Sequence, residues 1–122
     1  MEKYTVEIIS DEEKWNDLLN RSEFYLPFCH SFWVNGVGKL FHHSADFLVV
    51  YEEDREVALL PVYYRLKEKE KFSFHPSITP YNSPQFIRPE KLSDVRWEKN
   101  KFYILEAIEK HLRLNYVYPY FF

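Results

Sequence analysis

The feature that most constrains the fold is an apolar, β-rich segment that leads into a loop rich in proline. Residues 57–64 read Val-Ala-Leu-Leu-Pro-Val-Tyr-Tyr, and residues 75–84 read His-Pro-Ser-Ile-Thr-Pro-Tyr-Asn-Ser-Pro. Proline restricts the backbone, so Pro76, Pro80 and Pro84 stiffen the loop. Binding groups tend to lie on loops that rigid strands hold in place. The sequence therefore predicts a sheet that carries a polar and aromatic loop.

The composition predicts one small domain and excludes several classes of protein. A chain of 122 residues can build one modest core, so we expect a single domain over residues 1–122. The net charge of −3 argues against binding to nucleic acid or to an anionic membrane. The single Cys29 excludes an intramolecular disulfide and fits a reducing compartment. No apolar run approaches the roughly 20 residues that span a bilayer, and the N-terminus lacks a signal-peptide pattern. We therefore expect a cytoplasmic protein without membrane contacts.

Hydrophobic periodicity predicts an α+β fold with three helices and a mixed, mostly antiparallel sheet. The expected order is β-α-α-β-β-β-α-β, with a further short strand at Phe86-Ile87. The other expected elements are strand 4–9, helix 11–21, a second helix that begins near Ser31, strands 46–52, 56–66 and 72–74, helix 98–114, and a strand that starts at Tyr116.

The helices carry recognisable caps and apolar faces. Ser10, followed by Glu13 three residues later, resembles a capping box for the first helix, and Ser31 is the expected cap of the second. Apolar residues at helical spacing define the expected buried faces. They are Trp15, Leu18 and Leu19 in the first helix, Phe32, Trp33, Val37 and Leu40 in the second, and Phe102, Leu105, Ala107, Ile108 and Leu112 in the third.

Four stretches, taken in order, resemble one branch of acyltransferases. They are Trp15 ahead of an aromatic connector, His30-Ser31-Phe32-Trp33, the strand segment 56–61 that ends in Leu-Pro, and the loop segment 76–81. The chain is similar to the N-terminal half of the tandem-GNAT proteins, which include the Fem-type peptidoglycan aminoacyltransferases. Members of the GNAT superfamily transfer acyl groups from coenzyme A. The resemblance implies a partial GNAT-like fold, which we expect to be truncated at its C-terminal strand.

Two departures from that family bear on the cofactor. Ser83 stands where the family segment usually has glycine. The family binds pyrophosphate through a glycine-containing turn before the helix that follows the central strand, where backbone N–H groups face the anion. No glycine occurs between Phe72 and Glu98. The resemblance therefore implies an acceptor-side half that is inactive alone and binds no cofactor, with acyl-coenzyme A present only if a second GNAT-like half supplies its site.

The best cluster of polar candidates lies on the proline loop. The candidate substrate-binding residues are His75, Thr79, Tyr81 and Asn82. If the loop faces a cleft, the Tyr81 hydroxyl can donate a hydrogen bond and the His75 imidazole can act as a base. In the alternative interpretation, the Tyr81 ring packs on the sheet and His75 caps a strand end. The sequence identifies no catalytic residue.

Other reactive side chains favour structural roles. His42 and His43 are adjacent and lack a set of further ligands, so we expect them to end the second helix and to bind no metal. Cys29 and His30 are neighbours without a third orienting group, which argues against a thiol–imidazole pair.

Two other functions remain open. In the first, the chain is a non-enzymatic interaction module that dimerises or docks through its C-terminal strand, where Tyr116, Tyr118 and Tyr120 alternate. In the second, it is a complete small acetyltransferase in which an atypical loop replaces the glycine turn. The expected partner is accordingly a second copy or a second GNAT-like domain.

Overall fold

A computed structural model describes residues 3–74, 79 and 82–117 of the chain. It contains three α-helices and a five-stranded sheet, so the predicted α+β class and element order are confirmed. The strands are β1 (Tyr4–Ile9), β2 (Ser44–Glu52), β3 (Arg55–Lys67), β4 (Glu70–Ser73) and β5 (Gln85–Phe86). The helices are α1 (Glu12–Asn20), α2 (Ser31–Phe41) and α3 (Asp94–Asn115), with a 3-10 turn at Pro27–Cys29.

The sheet is antiparallel in the order β1-β2-β3-β4, and β5 also pairs with β3. Because strand side chains alternate, Leu48 and Val50 face α3, while Phe47 and Val49 face α1 and α2. Helices cover both faces, so the residues of β3 from Val57 to Tyr63 are buried without a break. This two-sided burial explains why the segment reads as a continuous apolar run.

The long strand β3 has a gap between the two short strands that share its edge. β5 pairs with Ala58 and Leu59, and β4 pairs with residues 64–67. Phe74 follows β4, and its N–H donates to the Tyr63 carbonyl at 3.1 Å. The proline loop therefore leaves and rejoins the sheet on either side of this gap.

The first two helices begin differently from the prediction. Asp11 caps α1 in place of Ser10, because its Oδ1 accepts from the Lys14 N–H at 3.0 Å. His30 caps α2 in place of Ser31, with its Nδ1 accepting from the Phe32 N–H at 3.1 Å.

Ser31 lies inside the first turn of α2 and joins that helix to α1. Its hydroxyl accepts from Asn16 Nδ2 at 2.8 Å, and its own N–H donates to Asn16 Oδ1 at 3.0 Å. Serine is a favoured capping residue, but Ser31 does not cap α2 because its hydroxyl is bonded to Asn16.

The buried faces of the later helices are rotated from those predicted. In α2, Val34 and Val37 are buried and Trp33 is half-buried, while Phe32 and Leu40 are exposed. The buried stripe of α3 comprises Trp97, Ile104, Ile108 and Leu112, with a spacing of seven residues and then two spacings of four. Phe102 lies about 200° around the helix from Ile104 and is 69% exposed, so its expected burial is wrong. Trp97 is buried because α3 starts at Asp94, four residues before the predicted start.

The chain returns to the sheet after α3. The Val117 N–H donates to the Lys71 carbonyl at 2.7 Å, and the Ser73 N–H donates to the Val117 carbonyl at 3.1 Å. These bonds form a parallel bridge between Phe72 and Val117. The rest of the predicted final strand, including Tyr118 and Tyr120, lies outside the described residues. In the part of the chain that is described, no helix has the length and apolar character needed to cross a membrane.

Candidate functional site

Thr79 anchors the proline loop to α2. Its side chain is buried, and Trp33 Nε1 donates to Thr79 Oγ1 at 3.0 Å. The indole of Trp33 is also packed edge-on against Phe28, with ring centroids 5.0 Å apart. Trp33 therefore holds the loop against the helical face of the molecule, in keeping with its expected role as a packing residue.

Asn82 anchors the same loop to the sheet. Its Nδ2 donates to the Pro61 carbonyl at 2.9 Å, within the gap on β3 that neither β4 nor β5 fills. Thr79 and Asn82 therefore anchor one loop at two places, Thr79 on α2 and Asn82 on β3. His75 and Tyr81 lie outside the described residues, and substrate binding by the four predicted residues stays a prediction.

A groove of about 400 Å³ lies at the C-terminal end of the proline loop. We call it the connector groove, because the aromatic connector after α1 forms one wall. Its lining residues are Glu23, Phe24, Tyr25, Leu26, Ser83, Pro84, Gln85, Phe86 and Lys101. The Glu23 N–H donates to the Phe86 carbonyl at 2.8 Å, which fixes the connector beside β5.

The carboxylate of Glu23 binds two other side chains at the connector groove. Glu23 Oε1 accepts from Trp97 Nε1 at 2.8 Å and from Lys101 Nζ at 3.1 Å. Lys101 also lies 5.2 Å from the ring centroid of Phe86 and 5.3 Å from that of Trp97. These contacts hold the ammonium by charge and by two aromatic faces.

The connector groove is suited to binding rather than to covalent chemistry. Phe24 and Tyr25 are exposed at 79% and 47%, so aromatic surface is available for a ligand. Lys101 is already paired with Glu23 and with Glu98 at 3.3 Å, and it therefore serves as a fixed positive charge. Sequence patterns did not indicate Glu23, Trp97 or Lys101 as site residues. Two sequence features could have indicated these residues. They are the aromatic connector and the seven-residue spacing from Trp97 to Ile104.

A second group of titratable residues lies under the C-terminal end of α3. We call it the Asp46 cluster, and its members are Asp46, Tyr64, Lys71, His111 and Tyr116. Asp46 is 8% exposed, and its Oδ2 accepts from Lys71 Nζ at 2.6 Å and from the Tyr116 hydroxyl at 2.5 Å. Lys71 Nζ also lies 4.7 Å from the Tyr64 ring centroid.

Burial dominates the electrostatics of the Asp46 cluster. Burial, and then the hydrogen bond to the Asp46 carboxylate, raise the pKa of Tyr116 well above its usual range. Burial lowers the pKa of His111, with the negative charge of Asp46 acting in the opposite direction. The cluster joins β2, β4 and the segment after α3, so its contacts position the chain at Val117. The sequence signal for this cluster was Asp46 itself, because it lies on the same face of β2 as the buried Leu48 and Val50.

The remaining candidate groups have structural surroundings. Burial raises the pKa of the Cys29 thiol to about 12, and a buried neutral thiol is a poor nucleophile. α2 ends at His42, as predicted, and the His42 backbone has the left-handed conformation, with φ of 59°. The His43 ring packs edge-on against Tyr63 and Phe74. Across residues 3–74, 79 and 82–117, no group of three or more His, Cys, Asp or Glu side chains is arranged to hold a metal ion.

Another groove, of about 630 Å³, lies between β1 and α3. Tyr4, Val6, Ala107 and Leu114 supply its apolar walls. Among the described residues of the proline loop, Ser83 and Pro84 line the connector groove and none lines this one, so the connector groove is the better candidate for the predicted function.

Comparisons of the chain with models of protein families, with curated proteins and with solved structures find no match.

Proposed function

We propose that this chain is the acceptor-side half of a tandem acyltransferase related to the GNAT superfamily, and that it is inactive alone. The proposal rests first on connectivity. Four antiparallel strands occur in chain order, with two helices inserted after the first of them. This is the order in which the tandem-GNAT proteins build the first part of their fold.

The parallel bridge between Phe72 and Val117 is the observation that carries the proposal. After β4 the chain forms β5, crosses through α3 and returns beside β4 in parallel, although β4 pairs antiparallel with β3. A strand that returns in parallel needs a long crossover connection, which α3 supplies here. It is the arrangement that the element order of the family requires.

The connection between β4 and α3 supports the assignment of the acyl-donor site to another half. A glycine turn would offer several backbone N–H groups to a pyrophosphate at the start of α3. The sequence from Lys71 to Asn115 contains no glycine. In this proposal the acyl-coenzyme A site belongs to a second GNAT-like half, and the protein acts in the cytoplasm.

The acceptor side is assigned to the connector groove and the adjoining proline loop. Thr79 and Asn82 fix that loop to α2 and β3, while Phe24 and Tyr25 present aromatic surface beside it. A ligand held there would contact side chains set by rigid elements, as a positioned substrate needs.

The alternative function is a non-enzymatic module that dimerises or docks through its predicted C-terminal strand, which would begin at Tyr116. Val117 directs its own N–H and C=O to β4, so a further strand could pair on its other side. A second copy or another domain would supply that strand. Under this alternative the chain needs neither acceptor nor donor.

Sedimentation equilibrium with and without acetyl-coenzyme A separates these functions. Inorganic pyrophosphate is the matched control for simple attraction of phosphate groups. We expect a monomer that retains acetyl-coenzyme A no better than it retains pyrophosphate. A self-associating chain would favour the docking module. Retention of acetyl-coenzyme A about tenfold tighter than pyrophosphate, or about 1.4 kcal/mol, would contradict the assignment of the donor site to another half.

A further inference from the structure

β1 is an edge strand of the sheet. It pairs with β2 from Tyr4 to Ile9 in one unbroken register, and among the described residues it pairs with no other strand. In an antiparallel ladder, alternate residues direct their N–H and C=O groups to opposite sides, so half of these groups on β1 point away from β2. Proline and β-bulges often protect such an edge, and β1 contains neither. The outer edge of β1 is therefore able to accept a further strand.

A groove runs beside this edge. The groove of about 630 Å³ between β1 and α3, which we call the β1–α3 groove, is lined by residues 3–6 and by α3 residues from Tyr103 to Leu114. Thr5 alternates with Tyr4 and Val6 and so directs its side chain to the opposite face of the sheet. Because Thr5 still lines the groove, the groove reaches the backbone that a further strand would use.

Apolar side chains on both walls of the β1–α3 groove are incompletely covered. On β1, Val6 is half-buried, and Ile8 is 48% exposed although it pairs with the fully buried Leu48. On α3, Tyr103 and Leu114 are 45% and 73% exposed. An added strand with apolar side chains on this face would remove these groups from water, which favours association.

The other face of β1 carries an uncompensated carboxylate. Glu7 is exposed, and within the described ranges no basic side chain forms an ion pair with it. Residues directly opposite each other in an antiparallel pair are close neighbours on one face, and opposite charges there stabilise the pair. A strand that complements β1 therefore has a basic residue opposite Glu7 and apolar residues opposite Val6 and Ile8.

We propose that the edge of β1 and the β1–α3 groove bind an extended peptide segment of a partner protein. The peptide lies antiparallel to β1 and hydrogen-bonds to its free edge, while its alternate side chains enter the space between strand and helix. In this mode the backbone bonds provide affinity, and the pockets for alternate side chains provide selectivity. The β1–α3 groove shares no lining residue with the connector groove, and the inference does not depend on the proposed function.

A second copy of this chain is a poorer occupant than such a peptide. Antiparallel pairing of two β1 strands about Val6 would place Thr5 opposite Glu7, which leaves the carboxylate without a cation. Pairing about Thr5 would place Lys3 opposite Glu7, but Lys3 Nζ already lies 3.3 Å from Glu52 Oε2. A partner segment with its own basic residue meets the requirement directly.

Backbone amide NMR during titration with a synthetic peptide tests the proposal. The probe is acetylated and amidated Ser-Val-Lys-Ile-Thr-Leu-Ser, in which lysine lies opposite Glu7 when isoleucine lies opposite Val6. The control peptide has glutamate in place of lysine. We expect saturable shifts at the amides of β1, with the control peptide bound at least about fivefold more weakly. Glu7→Lys should reverse this preference, because it exchanges attraction for repulsion.

Two serine substitutions on α3 test the apolar wall. Leu114→Ser should weaken binding of the lysine peptide at least about threefold, because it removes an exposed apolar group that lines the groove. Val95→Ser is the matched control. It removes an apolar side chain that is 81% exposed at the other end of the helix, and it should leave binding within about twofold of the unchanged chain. Far-ultraviolet circular dichroism checks that every variant folds.

Several outcomes would overturn the proposal. They are shifts at β4, the opposite edge of the sheet, in place of β1, a charge preference that Glu7→Lys does not reverse, and no saturable binding up to about 1 mM peptide. Self-association of the chain that Glu7→Lys abolishes would identify a second copy as the occupant and would also overturn it.

Discussion

At the scale of single residues, Asp46 shows how a buried carboxylate is accommodated. It lies near the start of β2 and faces the core that α3 covers. A buried charge needs a partner of opposite charge and further hydrogen bonds, and Lys71 and Tyr116 supply both. The three residues come from segments far apart in sequence, so their contact stabilises the return of the chain after α3.

Replacing Asp46 with Asn should destabilise the fold by about 1–3 kcal/mol. Asn keeps the shape but leaves Lys71 without its counter-charge and presents an amide donor toward other donors. Urea unfolding measures the change. Glu109→Gln is the control, because it removes a carboxylate from the exposed pair with Arg113 and should cost less than about 1 kcal/mol. Equal effects of the two substitutions would contradict this account of the cluster.

Individual site residues were partly predictable. Thr79 and Asn82 were recognised as polar residues on a constrained loop, but their partners Trp33 and Pro61 are distant in sequence. Periodicity describes which face a residue occupies and carries no information on such pairings. The contact of Lys101 with Glu23 is unpredictable from the sequence for the same reason.

At the scale of elements, α2 contains two glycines with opposite surroundings. A Cβ on Gly36 would meet no atom within 4 Å. A Cβ on Gly38 would lie 2.7 Å from the His43 carbonyl oxygen, because the chain reverses sharply after the helix. Gly38 is therefore required for the close approach, and Gly36 is not.

Gly36→Ala should stabilise the protein by about 0.5–1 kcal/mol, since alanine favours a helix and restricts the unfolded chain. Gly38→Ala should destabilise it by about 1–3 kcal/mol, because the His43 backbone must move. Thermal and urea unfolding of the two variants form a matched comparison within one helix. The account fails if both substitutions change stability in the same direction.

Element types were more predictable than their ends. All three helices and the main strands were expected, because their apolar periods are strong. The caps at Asp11 and His30 were missed, since a serine beside each had the usual capping chemistry. Tertiary contacts decide between such neighbours, as the bonding of Ser31 to Asn16 illustrates.

At the scale of the whole molecule, a buried thiol and buried tyrosine hydroxyls make the free energy of unfolding depend on pH in the alkaline range. Burial raises the pKa of Cys29 from 9.0 to about 12, and it raises the pKa of Tyr4 and of Tyr63 from 10.0 to about 12. Above pH 9 the unfolded chain therefore releases protons that the folded chain still binds. Stability from these groups is fully present below the unfolded values and is lost as pH rises through the folded values.

We expect the urea midpoint to fall from about pH 9 and to fall more steeply above about pH 10, where the tyrosines contribute. Cys29→Ala should move the onset toward pH 10 while lowering stability at all pH values through the lost packing. Unfolding followed by fluorescence at a series of pH values measures both effects. A midpoint that stays constant to about pH 11 would contradict the burial of these groups.

The whole-molecule fold was largely predictable, and the site was only partly so. Alternating and continuous apolar runs predicted the sheet, and the helix order fixed the class. The gap on β3, which sets the place of the proline loop, depends on β4 and β5 sharing one edge. That arrangement is a property of topology, which local patterns do not encode.

Backbone amide mapping by NMR during titration with acetyl-coenzyme A tests the central claim most directly. The claim is that the connection between β4 and α3 does not bind the acyl donor. We expect the amides of Phe74, Asn82 and Ser93, along that connection, to keep their chemical shifts. Saturable shifts at those three amides would show donor binding at the connection and would contradict the assignment of this chain as the acceptor-side half.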